Sequence, residues 1–137
     1  MAVVVVRGIL GSILLFTGLG KLLDVPGFVG VLETYRSLPA WSEYPVAVVL
    51  VLLELKLAEC LLLEACPRRA ALVAFALHVV FLFWVTYHVM VGAEVPNCGC
   101  FGVFLARPLG WGTVVEDALM CCLCGWLFHA LNADRGI

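Results

Sequence analysis

The chain has 137 residues, of which 64% are apolar and 13% charged, and its formal net charge is -2, with a mean hydropathy of +1.12. A water-soluble core does not absorb that share of apolar side chains, so the composition points to an integral membrane protein. Scattered Lys and Arg form no basic tract, and nothing in the charge pattern supports nucleic-acid binding.

A spanning helix needs about 20 largely apolar residues, and the spacing predicts four, at about 3–23, 45–65, 69–92 and 109–131. The first begins Met1-Ala2-Val3 and carries Arg7, which invites comparison with a secretory signal. Its apolar run continues through Phe16 to Leu23, and Lys21-Leu22-Leu23-Asp24 is a poor cleavage site, so it reads as a retained span. Lys21, at its outer end, reads as an anchor whose stem lies in lipid while its ammonium snorkels outward.

Segment 24–44 follows, with Phe28, Val31, Leu32 and Tyr35 at helical spacing, which predicts a short helix lying on the membrane surface. The second span carries Glu54, Lys56 and Glu59; Lys56 and Glu59, three residues apart, neutralise each other. The short connection at Cys66-Pro67-Arg68-Arg69 forces spans two and three into an antiparallel hairpin. Glu54 and His78 each lie about 13–14 Å from opposite faces of a core about 30 Å thick, so their depths coincide and allow a hydrogen bond between them, read as a structural clasp, with a proton path as the alternative.

The expected architecture is a single all-α domain over 1–137, a left-handed four-helix membrane bundle with an interfacial helix between its first two spans. Arg7, Arg68, Arg69 and Arg135 fall on one face, which the positive-inside rule makes cytoplasmic together with both termini. The expected location is the cell's inner (plasma) membrane, with Cys98 and Cys100 outside.

Seven cysteines are unevenly placed. Cys60 and Cys66 belong to the second span and Cys121, Cys122 and Cys124 to the fourth, where packing as small hydrophobes accounts for them. By depth Cys60 and Cys124 can also meet in the inner half, as a relay or soft-metal path. Only Cys98 and Cys100 sit in a loop, Pro96-Asn97-Cys98-Gly99-Cys100-Phe101-Gly102, where Gly99 lets the chain bend enough to bring the two within disulfide range. Three chemistries fit Cys-x-Cys: an exchangeable disulfide, a soft-metal site and a structural staple. A one-residue loop gains little as an entropic staple. His88, near the outer end of the third span, is placed to take a thiol proton or to hydrogen-bond a quinone carbonyl.

Arg7-Gly8, Leu10-Gly11, Phe16 and Gly18-x-x-Lys21, then Phe28 through Tyr35, Leu38-Pro39, Leu53-Glu54-Leu55 and above all Cys98-Gly99-Cys100-Phe101-Gly102 carry a family resemblance. The chain resembles the methylamine-utilisation E (MauE) family within the wider DoxX-like group of four-helix membrane proteins. The resemblance implies extracytoplasmic thiol–disulfide handling beside a thioredoxin-like partner, with a redox-active Cys98/Cys100 pair. Lys56, Glu59, Glu116-Asp117 and the cysteines of the fourth span depart from the family pattern.

The reading is therefore a membrane thiol–disulfide oxidoreductase or electron relay. Cys98 and Cys100 are its reactive pair, His88, Lys21, Glu54 and His78 its supporting residues, and a membrane quinone held near His88 and Lys21 its electron sink. The rival readings are a soft-metal carrier using Cys98, Cys100, Cys121 and Cys124, and a purely structural membrane subunit.

Overall fold

A computed structural model describes residues 1–134; Arg135, counted above towards orientation, lies outside the described residues. The described chain is all-helical: α1 (Ala2–Leu22), α2 (Val25–Tyr35), α3 (Ala40–Leu62), α4 (Pro67–Met90) and α5 (Trp111–Ala133). The 20 residues between α4 and α5, 91–110, contain the Cys98/Cys100 loop and no helix.

The two most extensive helix pairings are α1 with α3 and α4 with α5. Leu10 and Leu14 of α1, Leu57, Ala58 and Leu61 of α3, and Cys124 and Leu127 of α5 meet in one core with Ala70, Ala71 and Ala74 of α4. Three alanines in five positions let the α4 backbone approach its neighbours closely, as small residues do between membrane helices. Phe16, Val80, Phe83 and Leu119 point outward and are exposed, an apolar exterior suited to lipid.

Three helices, α1, α4 and α5, are long and apolar enough to cross a membrane. The sequence predicts four such spans. The difference is α3, whose 23 residues include Glu43, Glu54, Lys56 and Glu59. It also starts earlier than expected, at Ala40 rather than 45. Pro39 supplies the N-cap, and Pro45 removes one backbone donor near the start of the helix without ending it.

The helical spacing in 24–44 is realised as α2. Asp24 caps it by accepting a hydrogen bond from the Gly27 amide at 2.9 Å, and Arg36, with φ of 53°, ends it in the left-handed region. Its buried face, Phe28, Val31, Leu32 and Tyr35, forms a second core with Ala47 of α3 and Val95 of the following loop. The apolar stripe thus packs on the loop and α3.

The α3–α4 connection also differs from expectation. Cys60 and Cys66 form a disulfide that ties the end of α3 to the N-cap of α4. While that bond stands, Cys60 has no thiol for a relay with Cys124, although both belong to the same core. At the same end Arg7 and Glu64 form an ion pair, joining the start of α1 to the connection.

Candidate functional site

Backbone conformation fixes the loop first. Gly99 and Gly102 have φ of 79° and 73°, in the left-handed region that glycine adopts without strain. A side chain at Gly102 would run into the carbonyl of Gly20, and one at Gly20 into the carbonyl of Phe101, so loop and α1 meet backbone to backbone. Asn97 organises the turn from within: its side-chain oxygen accepts from the Gly99 amide at 3.0 Å, and its amide donates to the Gly102 carbonyl at 3.1 Å. The Cys98 amide donates to the Arg107 carbonyl at 2.7 Å, closing the two arms of the loop on each other.

Side chains from three helices then hold it. Tyr35 of α2 donates its hydroxyl to the Cys98 carbonyl at 2.7 Å. Lys21 of α1 donates to the Cys100 carbonyl at 2.9 Å and to both oxygens of Glu54 at 2.9 and 2.8 Å. Arg107 makes a bidentate pair with Glu116 of α5 at 2.7 and 2.8 Å and lies over the Phe101 ring.

Lys21 and Glu54 are 3% and 2% exposed. Lys21 is therefore no outward-snorkelling anchor but one half of a buried ion pair. The Glu54–His78 hydrogen bond that depth allows is not formed either. His78 Nδ1 pairs with the Ala74 carbonyl of its own helix at 2.8 Å, and Lys21 occupies both carboxylate oxygens. The expected Lys56–Glu59 pair is present at 2.9 Å on an exposed face.

The sulfurs of Cys98 and Cys100 lie 3.1 Å apart, at hydrogen-bonding distance. Both are free thiols, so the structure holds the pair in its reduced form. Their environments pull the two acidities apart. The Cys98 thiol is brought down to about 6, first by the hydrogen bond from Cys100 and further by its backbone and by Arg107, against the opposing effect of burial. Cys100 is pushed far above the ordinary thiol range by that same hydrogen bond, by burial and by the neighbouring Cys98 charge. The two sulfurs thus share one proton unequally, with Cys98 the more acidic of the pair and Cys100 the one that retains it. Tyr35 is likewise raised, by burial first and then by the nearby thiols, so its hydroxyl remains a donor.

Beneath the pair lies a cavity of about 120 Å³, lined by Lys21, Glu54, His78, Cys98, Cys100 and Asp117 among mostly apolar neighbours. His88 is not part of its lining. It bonds to Ser37 at 2.6 Å and to the Trp84 carbonyl at 2.7 Å, packed edge-on against Tyr35. The predicted pairing of His88 with Lys21 around a ligand is thus separated: Lys21 faces the cavity, and His88 stands behind Tyr35. Cys121 and Cys124 are buried on α5 and Cys122 is exposed. Among the described residues no group of three or more His, Cys, Asp or Glu is placed to hold a metal ion.

Tyr35, Arg107 and Asp117 complete the site without having been singled out from the sequence as supporting residues. The helical spacing that buries Tyr35 was legible; that its hydroxyl reaches a loop 63 residues on was not.

The family profile described as "Methylamine utilisation protein MauE" matches residues 1–130. The chain is 32% identical over 117 residues to the methylamine utilization protein MauE of Paracoccus denitrificans, covering 85% of this chain and 63% of that one. It is 34% identical over 113 residues to the protein of the same name from Methylorubrum extorquens, covering 82% and 61%, and 38% identical over 80 residues to that of Methylophilus methylotrophus, covering 58% and 42%. The chain thus spans about three fifths of the length of the first two relatives. No solved structure matches it.

Proposed function

The chain belongs to the MauE family, and from that premise we propose that it is a membrane thiol–disulfide oxidoreductase whose Cys98/Cys100 pair exchanges electrons with a thioredoxin-like protein outside the cytoplasm. The observation that carries the reading is the pair itself: two thiols 3.1 Å apart, one of them acidic enough to be a thiolate at neutral pH, on a loop anchored by three helices. A thiolate is the attacking species in disulfide exchange, and an adjacent thiol resolves the mixed disulfide it forms. The relatives' name places those proteins in methylamine utilization, so the partner we propose acts in that system.

We place four helices across the inner membrane, counting α3. Beyond Glu43 in its first turn, its charges are compensated within the fold, Glu54 by Lys21 and Lys56 by Glu59, which lowers the cost of inserting them. The end carrying Arg68 and Arg69 faces the cytoplasm in this reading, and the Cys98/Cys100 loop faces outward.

A membrane quinone is the proposed electron sink. The residues present fit a quinone head better in the cavity below the dithiol than beside His88, because that cavity is largely apolar and adjoins both sulfurs. A bound quinone would supply a two-electron acceptor. The chain's own part is to hold Cys98 as thiolate, keep Cys100 as the resolving thiol, and fix both carbonyls through Tyr35 and Lys21.

The test is a redox titration of the purified protein against a glutathione series, read by alkylation and mass, together with non-reducing gels of Cys98→Ser and Cys100→Ser cells. The expected result is a Cys98–Cys100 potential well above about -300 mV, the upper bound of structural disulfides, and a mixed disulfide trapped by one of the two variants. A potential below that range with no trapped partner from either variant overturns the proposal.

A further inference from the structure

Asp117 is a buried group that the exchange chemistry leaves unused. It sits in the second turn of α5, is 8% exposed, and lines the same cavity as both thiols. Its Oδ2 is fully buried and has no hydrogen-bond partner among the described residues. The adjacent Glu116 is spoken for by Arg107, and Glu54 by Lys21. Asp117 is thus the carboxyl in this cavity with an oxygen left free to receive a proton.

A buried, unpaired carboxyl oxygen is costly to maintain, so its retention calls for a use or a ligand. The resolving step needs a base. Cys100 must lose its proton before its sulfur can attack, and the surroundings that favour the Cys98 thiolate are those that hold the proton on Cys100. The cavity is roomy enough for water, since about 10–15 Å³ of such volume holds one molecule, so a proton can travel from thiol to carboxyl without direct contact.

We propose that Asp117 is the proton acceptor for Cys100 when the Cys98–Cys100 disulfide closes, and the donor when it opens. The inference rests on the thiol-exchange reading above. In the closing direction the Cys98 thiolate first attacks a disulfide of the partner, forming a Cys98–partner S–S bond and releasing one partner thiolate. The Cys100 proton then passes to the Asp117 carboxylate, and the Cys100 sulfur attacks the Cys98 sulfur. The Cys98–partner bond breaks, and the second partner thiolate leaves with the electron pair. Two electrons have passed from the cysteine pair to the partner disulfide; the same steps in reverse, with Asp117 returning its proton to Cys100 as that sulfur leaves, carry two electrons from a partner dithiol into the pair and so towards a quinone sink. Groups lining the cavity with Asp117 are Lys21 of α1, Tyr35 of α2, Glu54 of α3, His78 of α4, Glu116 of α5, and the two thiols themselves. Arg107 joins them through Glu116. Lys21 supplies the positive charge that makes a carboxylate there tolerable, and each of the others is engaged or reacting.

The experiment uses the full chain, reduced, in nanodiscs, with oxidised glutathione as the probe. Acid quenching, alkylation and mass of the Cys98–Cys100 peptide follow two phases: appearance of the Cys98–glutathione adduct and its conversion to the internal disulfide. Asp117→Asn is expected to leave the first phase within a factor of about two and to slow the second about a hundredfold at neutral pH, the low end of what a positioned base contributes. The slowed phase should then rise with pH as hydroxide takes over. Asp117→Glu, which keeps the carboxyl, should restore most of the rate. An unchanged second phase and pH profile in Asp117→Asn, with wild-type protein closing its disulfide normally, overturns the role of Asp117 and leaves the exchange reading standing. Wild-type protein that closes no disulfide overturns both.

Discussion

The Lys21 ammonium lies 2.9 Å from the carbonyl oxygen of Cys100, 79 residues away in the chain, while both oxygens of Glu54 hold it from the other side. The ion pair that makes α3 tolerable in an apolar bundle is therefore also a strut of the thiol loop. Removing one partner leaves a buried charge uncompensated, which costs about 3–5 kcal/mol, whereas replacing both with apolar residues is far milder. Lys21→Met should accordingly lower the detergent melting temperature more than the double variant Lys21→Met/Glu54→Leu does. Equal melting temperatures for the two would show that Lys21 carries no structural charge pairing.

Cys98 should alkylate as a thiolate with a midpoint near pH 6, as its lowered acidity dictates. The sign is that of an acid with a depressed value: above the midpoint the sulfur is charged and reactive, and acidification below it switches the reaction off. Since the hydrogen bond from Cys100 is the largest cause, Cys100→Ala should move the midpoint up towards the ordinary thiol range. Rates of iodoacetamide labelling against pH, read by peptide mass, check both statements.

Gly102→Ala combines a left-handed φ of 73° with a collision against the Gly20 carbonyl. Strain of this kind costs about 1–3 kcal/mol, and the loop is the part free to yield. Detachment from α1 should break the contact with Lys21 and speed maleimide labelling of the buried Cys98 severalfold, with the bundle melt changed much less. Labelling at the wild-type rate would mean that the loop is held elsewhere.

The Cys60–Cys66 disulfide reports on orientation. Disulfides in the cytosol are reduced unless they turn over. With Arg68 and Arg69 facing the cytoplasm, acid-quenched growing cells should yield Cys60 and Cys66 as alkylatable thiols. In the same cells a membrane-impermeant maleimide, after mild reduction, should reach Cys98 or Cys100 without lysis. An intact Cys60–Cys66 bond with no outside labelling of the loop pair would invert the topology.

Much of the site could be read from residue types and turn chemistry, and the remainder depended on how the helix ends stand relative to one another. The loop cysteines, the glycines that bend it and the buried stripe of α2 are local signals. Depth counted from helix ends pairs Glu54 with His78 only if those ends are level. In the structure α3 begins at Ala40, and Glu54 lies about fourteen residues, or ~21 Å, along it, yet it meets Lys21, the penultimate residue of α1. The α3 helix runs well past the end of α1, and α2 fills the level beyond. No periodicity encodes that offset. Nor does one encode which of two neighbouring acids, Glu116 or Asp117, finds an arginine, although the choice leaves the other free.

Closing the Cys98–Cys100 bond would bring sulfurs now 3.1 Å apart to about 2.05 Å, in a loop whose two cysteine carbonyls are tied to Tyr35 and Lys21 and whose sulfurs form part of the cavity wall. Oxidation therefore reshapes the chamber beneath. By reciprocity, a molecule that binds the chamber more tightly in one thiol state than in the other must displace the redox equilibrium by the same factor. Each tenfold preference corresponds to about 30 mV for a two-electron couple. The potential of this pair is then a property of occupancy as well as of sulfur chemistry, and titrations with and without a cavity ligand would read one as a voltage of the other.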